Sequence, residues 1–196
     1  PEGLAPADIV FSDPDVSVKS VSESGPNKIV CMITVGGASL RTATLKVKNA
    51  AYADPVILYD KMDGIRILPH IGRARVSSGA AYPPQGVQFV ARGVHFGPDG
   101  KPDTEDDVML DPVDVDWKLD EEKTREGDDD LKYLTTGIDG GLYTPVTTYG
   151  PIAERKQHHE GVGLIAVEAS LAAGDAVLKD RALLGVTVPD FITHIK

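Results

Sequence analysis

A single cysteine, Cys31, stands among the 196 residues. One thiol excludes an intrachain disulfide, a cysteine-based zinc site and the CxxCH attachment of a c-type haem. Its surroundings, Ile29-Val30-Cys31-Met32-Ile33, read as a strand in which a free thiol packs as a small buried apolar group rather than as a nucleophile. Long apolar runs are also missing. No stretch of about 18 apolar residues is present, so no membrane-spanning helix can be read. No basic-then-apolar signal segment opens the chain, and its start at Pro1 rather than Met points to a processed or cleaved product. Basic residues are scarce, with 20 Lys and Arg against 30 acids and a net charge of −10. Without a basic stripe nothing replaces the counterions of phosphates, which excludes nucleic acid as a partner. Neither GxSxG, GxGxxG nor a P-loop occurs, so those catalytic and nucleotide sites are excluded.

What the chain does contain is turns and short strands. Twenty Gly and 14 Pro punctuate it, and no segment sustains an apolar period of 3.6 residues. Residues 1–10 read as an irregular lead-in. Short strands follow at roughly ten-residue spacing, which is the pattern of a β-sandwich. Ile29–Val35 places Ile29, Cys31, Ile33 and Val35 on one buried face. Residues 43–48 read as one strand with Ala43, Leu45 and Val47 inward, and 56–59 as another. After residues 60–64 come Ile65–Ile67, Arg73–Val76 and Val87–Arg92, the last with Val87, Phe89 and Ala91 inward. The most regular pattern is 113–119. There Val113, Val115, Trp117 and Leu119 alternate with Asp114, Asp116 and Lys118, so a half-buried strand anchored by the only tryptophan is expected. Strands over 162–169 and 183–188 complete the set, with a charged loop over 120–130 and a turn at 171–176.

The acids are concentrated. Residues 99–130 hold 15 of the 30 acids and 4 of the 20 bases, a balance of −11, and the rest of the chain sums to +1. Within this belt Asp99, Asp103, Glu105, Asp106 and Asp107 crowd a Gly- and Pro-containing turn. Closely spaced carboxylates can wrap Ca²⁺, which takes six to eight oxygens. The spacing is not that of an EF-hand, and the alternative is a turn whose Asp side chains hold backbone N–H groups. His158-His159-Glu160 looks like a metal fragment, but adjacent residues on a strand face opposite ways, so a surface loop is the preferred reading. His70, His95 and His194 are isolated.

Several blocks in order carry a resemblance. The run Tyr59-Asp60-Lys61-Met62-Asp63-Gly64-Ile65-Arg66-Ile67-Leu68-Pro69 with Gly72-Arg73-Ala74-Arg75-Val76 resembles the junction between the third and fourth domains of the alpha subunit of quinohemoprotein amine dehydrogenase. Residues 84–110, with Gln88-Phe89 and the acidic turn, resemble the opening of the fourth domain. The likeness continues through Trp117, Gly137-Ile138-Asp139, Gly141-Leu142-Tyr143-Thr144-Pro145 and Gly150-Pro151. Residues 7–58 resemble the preceding immunoglobulin-like domain less closely.

The fold expected is all-β, with two tandem β-sandwich (immunoglobulin-like) or β-barrel-like domains over 1–60 and 61–196. The resemblance implies that the first domain lacks its opening strand. A strand from upstream polypeptide or from a neighbouring copy or subunit by strand addition is then expected to complete it, unless residues 1–10 fold back instead. It also implies a periplasmic or extracellular location and a non-catalytic scaffold contacting other subunits or domains of a redox complex. Haem c and a tryptophan-derived quinone then lie in other parts of that complex, and no cofactor or catalytic residue is expected in this chain. The alternative is a calcium-stabilised adhesion or filament module.

Overall fold

The computed structural model describes residues 3–23, 29–37, 40–77, 82–123, 129–134, 136–146 and 161–188. Its elements are strands, with two short 3-10 turns, Pro6–Asp8 and Asp130–Tyr133. The chain divides into two units, Pro1–Met62 and Asp63–Lys196.

The first unit contains β1 (Ile9–Phe11), β2 (Val16–Glu23), β3 (Ile29–Val35), β4 (Arg41–Ala43), β5 (Leu45–Val47), β6 (Ala50–Ala51) and β7 (Val56–Leu58). They form three small sheets, β1-β5-β6, β2-β3 and β4-β7. The lead-in is not irregular. Asp8 accepts the Ala5 N–H at 2.9 Å and closes the 3-10 turn, which delivers Ile9 into the core opposite Val47. Residues 43–48 are not one strand either. The chain changes sheet at Thr44, where Ser12 and Thr44 exchange bonds: the Ser12 N–H donates to the Thr44 carbonyl and the Thr44 N–H to the Ser12 hydroxyl, each at 2.9 Å.

The expected buried face of β3 is absent. Ile33 and Val35 are 36% and 39% exposed, and Val30 and Met32 on the other face are 47% and 65% exposed. Cys31 is half-buried rather than buried. The reason is topological: β2 is the sole ladder partner of β3 among the described residues, and two strands cannot enclose an apolar face. The start of β2 is tied down by charge instead. The Arg41 guanidinium pairs with the Asp13 carboxylate and donates to the Gly36 carbonyl. That pairing, helped by the Asp15 N–H, holds the Asp13 carboxyl below its usual range.

The second unit contains β8 (Gly64–Leu68), β9 (Ile71–Arg75), β10 (Val87–Gln88), β11 (Val90–His95), β12 (Val108–Pro112), β13 (Asp116–Glu121), β14 (Ile138–Asp139), β15 (Leu142–Tyr143), β16 (Gly163–Ala173) and β17 (Ala176–Thr187). A three-stranded sheet, β12-β11-β8, accompanies a four-stranded sheet, β13-β16-β17-β9, whose β17–β9 pair is parallel. The third sheet, β10-β15-β14, is small, and no closed barrel forms among the described residues. Alternation sets the core. Ile65, Ile67, Ala91 and Val94 come from one sheet, and Ile165, Val167, Ala182, Leu184, Val186 and Ala74 from the other, all buried. Asp180 of β17 ties β8 to this sheet by accepting the Ile67 N–H at 2.6 Å.

The tryptophan strand starts later than its alternation predicts. The Val113 N–H donates to the Ala91 carbonyl at 2.9 Å, so residue 113 still follows β12 along β11, and β13 begins at Asp116. The phase is as expected, with Trp117 opposite Ala169 and Leu119 opposite Val167, but Trp117 is half-buried rather than enclosed. The run 87–92 breaks at Phe89, whose N–H turns aside to the Gly141 carbonyl at 2.8 Å. In the other direction, β16 and β17 extend well beyond the expected 162–169 and 183–188, pairing from Gly163↔Val186 to Ala173↔Ala176. The turn between them shrinks to Gly174-Asp175, with Gly174 at φ +62. His158, His159, Glu160, His194 and the Gly150-Pro151 block lie outside the described residues.

Candidate functional site

The acidic turn joins β11 to β12. Its backbone reverses through the left-handed region at Gly97 (φ +61), Gly100 (φ +64) and Asp103 (φ +64). Glycine is required at 97, because a Cβ there would press on the carbonyl and carboxylate of Asp106.

The carboxylates are committed inside the turn. Asp99 Oδ1 accepts the Lys101 N–H at 2.8 Å, and Asp107 Oδ2 accepts the Asp103 N–H at 2.8 Å. Asp106 Oδ1 receives the Thr104 hydroxyl at 2.7 Å, and its Oδ2 receives the Asp99 N–H at 3.3 Å. The Thr104 hydroxyl, foremost, with the Asp99 N–H holds the Asp106 carboxyl below its usual range. Arg66 of β8 reaches over and donates to Asp103 Oδ1 at 2.5 Å, with Asp107 Oδ2 at 4.0 Å. Glu105 points to solvent and engages no partner among the described residues.

At the foot of the turn His95 is buried and its Nδ1 accepts the Gly97 N–H at 3.0 Å. Asp63 Oδ2 accepts the Phe96 N–H at 3.0 Å and lies 3.9 Å from His95 Nδ1. Spacing alone does not reveal Arg66 or Thr104. The arginine lies 37 residues away in sequence from Asp103, and the one local signal for Thr104 is a hydroxyl residue inside an Asp-rich turn.

Taken together, this is a clasp that shapes backbone. It brings Asp99, Asp103, Asp106 and Asp107 into one hydrogen-bonded turn and leaves Glu105 outside. Among the described residues no group of three His, Cys, Asp or Glu side chains is placed to hold a metal ion. The isolated His70 is exposed and takes part through its carbonyl, which accepts the Leu183 N–H at 2.9 Å. Among the described residues no helix is long and apolar enough to cross a membrane.

Comparison with known proteins places this sandwich. Residues 65–194 match the family model described as quinohemoprotein amine dehydrogenase, alpha subunit domain IV. No curated protein matches the chain.

Proposed function

Because the chain belongs to the quinohemoprotein amine dehydrogenase alpha subunit domain IV family, we propose that it is a non-catalytic, subunit-contacting β module of a periplasmic redox assembly of that kind. The family match over residues 65–194 carries the reading. In the second unit Asp180 fixes the backbone at Ile67 and Asp106 at the acidic turn, the use of polar groups that a scaffold makes. Haem c does not fit the residues present, because Cys31 of β3 is the only thiol and thioether attachment uses two. Under this reading haem c and the tryptophan-derived quinone belong to other parts of the assembly. The first unit is the contacting part, where a strand from elsewhere in the assembly adds along the edge of β3 that β2 leaves open and pairs its backbone groups.

The test is native purification with visible absorption followed across the eluting peak. The expected result is co-elution of this chain with haem- and quinone-bearing chains in fixed ratio. Elution of a colourless chain alone, from cells that make the other subunits, contradicts the proposal.

A further inference from the structure

An aspartate followed by glycine exposes its side-chain carboxyl to attack by the next backbone nitrogen, because no Cβ shields that nitrogen. The sequence holds three such bonds, Asp63-Gly64, Asp99-Gly100 and Asp139-Gly140. Sequence alone ranks them equally, but the fold separates them.

At Asp63 the carboxylate is turned away from Gly64. Its Oδ2 accepts the Phe96 N–H at 3.0 Å, and the side chain is 13% exposed. The backbone is held there too. The Asp63 N–H donates to the Val94 carbonyl at 2.9 Å, and Gly64 opens β8 opposite Val94. At Asp99 the carboxylate is drawn past Gly100, since its Oδ1 accepts the Lys101 N–H at 2.8 Å. The Asp99 N–H is engaged as well, with Asp106 Oδ2 at 3.3 Å.

Asp139 is held by neither device. It is exposed, and its side chain takes part in no ion pair or hydrogen bond among the described residues. It ends β14, a two-residue strand on the edge of the β10-β15-β14 sheet. Gly140 follows in the turn at φ +50, with no atom within 4 Å of the position a Cβ would take. The carboxyl is therefore free to turn onto the Gly140 nitrogen.

We propose that Asp139-Gly140 is a site of spontaneous isomerisation to isoaspartate, and that the product loosens the turn between β14 and β15. The Gly140 nitrogen attacks Cγ of the protonated Asp139 carboxyl. A C–N bond forms, the carboxyl hydroxyl leaves as water with the proton of that nitrogen, and a cyclic imide closes. Water then adds to the Asp139 backbone carbonyl, and the bond from that carbon to the Gly140 nitrogen breaks. The chain now runs through Cβ and Cγ, with no net gain or loss of atoms. An extra methylene then lies between the Asp139↔Leu142 pair and Gly140, whose carbonyl the Gln88 amide holds at 3.0 Å. Gly141, next in the turn, lies against the indole, since a Cβ there would stand 3.1 Å from Trp117 Cζ2. Trp117 is the only tryptophan, so its emission registers the change. The site does not depend on the proposed function, because the reaction uses atoms of this chain and water alone.

The test holds the full chain at neutral pH and physiological temperature in water enriched in heavy oxygen, which marks each hydrolysed imide with one oxygen. Mass spectrometry of its peptides then follows the three bonds. In the folded chain Asp139 should be labelled about tenfold faster, or more, than Asp63 or Asp99, because those two must first open locally. In guanidinium chloride the three should react at similar rates. Asp139→Glu, at an exposed position, should keep the wild-type melting curve and abolish labelling there. Trp117 emission should drift as the wild-type chain is labelled and stay constant in this variant. Equal rates at the three bonds in the folded chain, or no labelling of Asp139 there, overturns the proposal. Labelling of Asp139 with unmoved Trp117 emission overturns the loosening of the turn.

Discussion

The two units are both built of strands, yet they hold themselves together differently. In the first, Ile9, Ala43 and Leu58 are the buried apolar side chains, while the second has 17, among the described residues. Strand length does not account for this. The β2–β3 ladder pairs strands of eight and seven residues, but it has no third strand and leaves both faces of β3 open. The β16–β17 hairpin is instead flanked by β13 and β9 and backed by β8. Hydrogen-bonded strands therefore produce a core only where a second layer removes their side chains from water.

Side-chain truncation should break the symmetry most. Phe89 is 1% exposed and lies over Gly72, where an added Cβ would meet its ring. Phe89→Ala is expected to cost about 3–5 kcal/mol. Met32→Ala in β3, at a side chain 65% exposed, should change stability by no more than about 0.5 kcal/mol. Urea unfolding followed by Trp117 emission and by backbone circular dichroism measures both. Similar losses at the two sites would mean that β3 is enclosed after all.

A smaller effect is expected at the turns. Gly97→Ala combines a left-handed backbone with pressure on Asp106, and should cost about 1–3 kcal/mol. Gly174→Ala, at φ +62 but with open space around it, tests the backbone contribution alone and should cost less. Equal losses would show that the clasp around Asp106 yields freely.

These contrasts also explain how far the sequence could be read. Alternation found the inward set Trp117 and Leu119 because their cross-strand partners Ala169 and Val167 complete the same face. It placed the start of β13 too early because Val113 and Val115 continue the same alternation, while the hydrogen bond to Ala91 that keeps residue 113 with β11 is a long-range choice. The same limit applies to β3, whose apolar residues look buried to a local rule whatever covers them. β1 entered the reading only as the alternative in which residues 1–10 fold back, because three residues after a turn at Pro6 carry little periodicity, and Leu45–Val47, 34 or more positions later, supplies the pairing. At the acidic turn the Asp-rich spacing was legible, whereas the arginine that closes it comes from another strand.

The acidic turn should respond to pH in a direction set by Asp106. Its carboxyl is held below the usual range in the folded chain, so its contribution is fully present above the unfolded value, near 3.9, and is lost as pH falls through the folded one. Asp106→Asn should therefore be less stable than wild type at neutral pH and should lose less on acidification below about pH 4. Acid titrations of melting temperature for the two proteins test this, and parallel acid limbs would contradict it. The smallest effect is expected from Ca²⁺. A site at Asp99–Asp107 would add about 2.7 kcal/mol at a hundredfold excess over its dissociation constant. With these carboxylates committed to N–H groups and Arg66, melting in EGTA and in millimolar Ca²⁺ should coincide. An upward shift in Ca²⁺ would establish the metal reading.

The most direct test of the module account is amide hydrogen exchange on the chain alone and within the assembly. The account predicts slow exchange along β16–β17 in both states. Across Ile29–Val35 it predicts fast exchange in the chain alone and slow exchange once the haem- and quinone-bearing partners are present. Strong protection of Ile29–Val35 in the chain alone, unchanged on assembly, would contradict it.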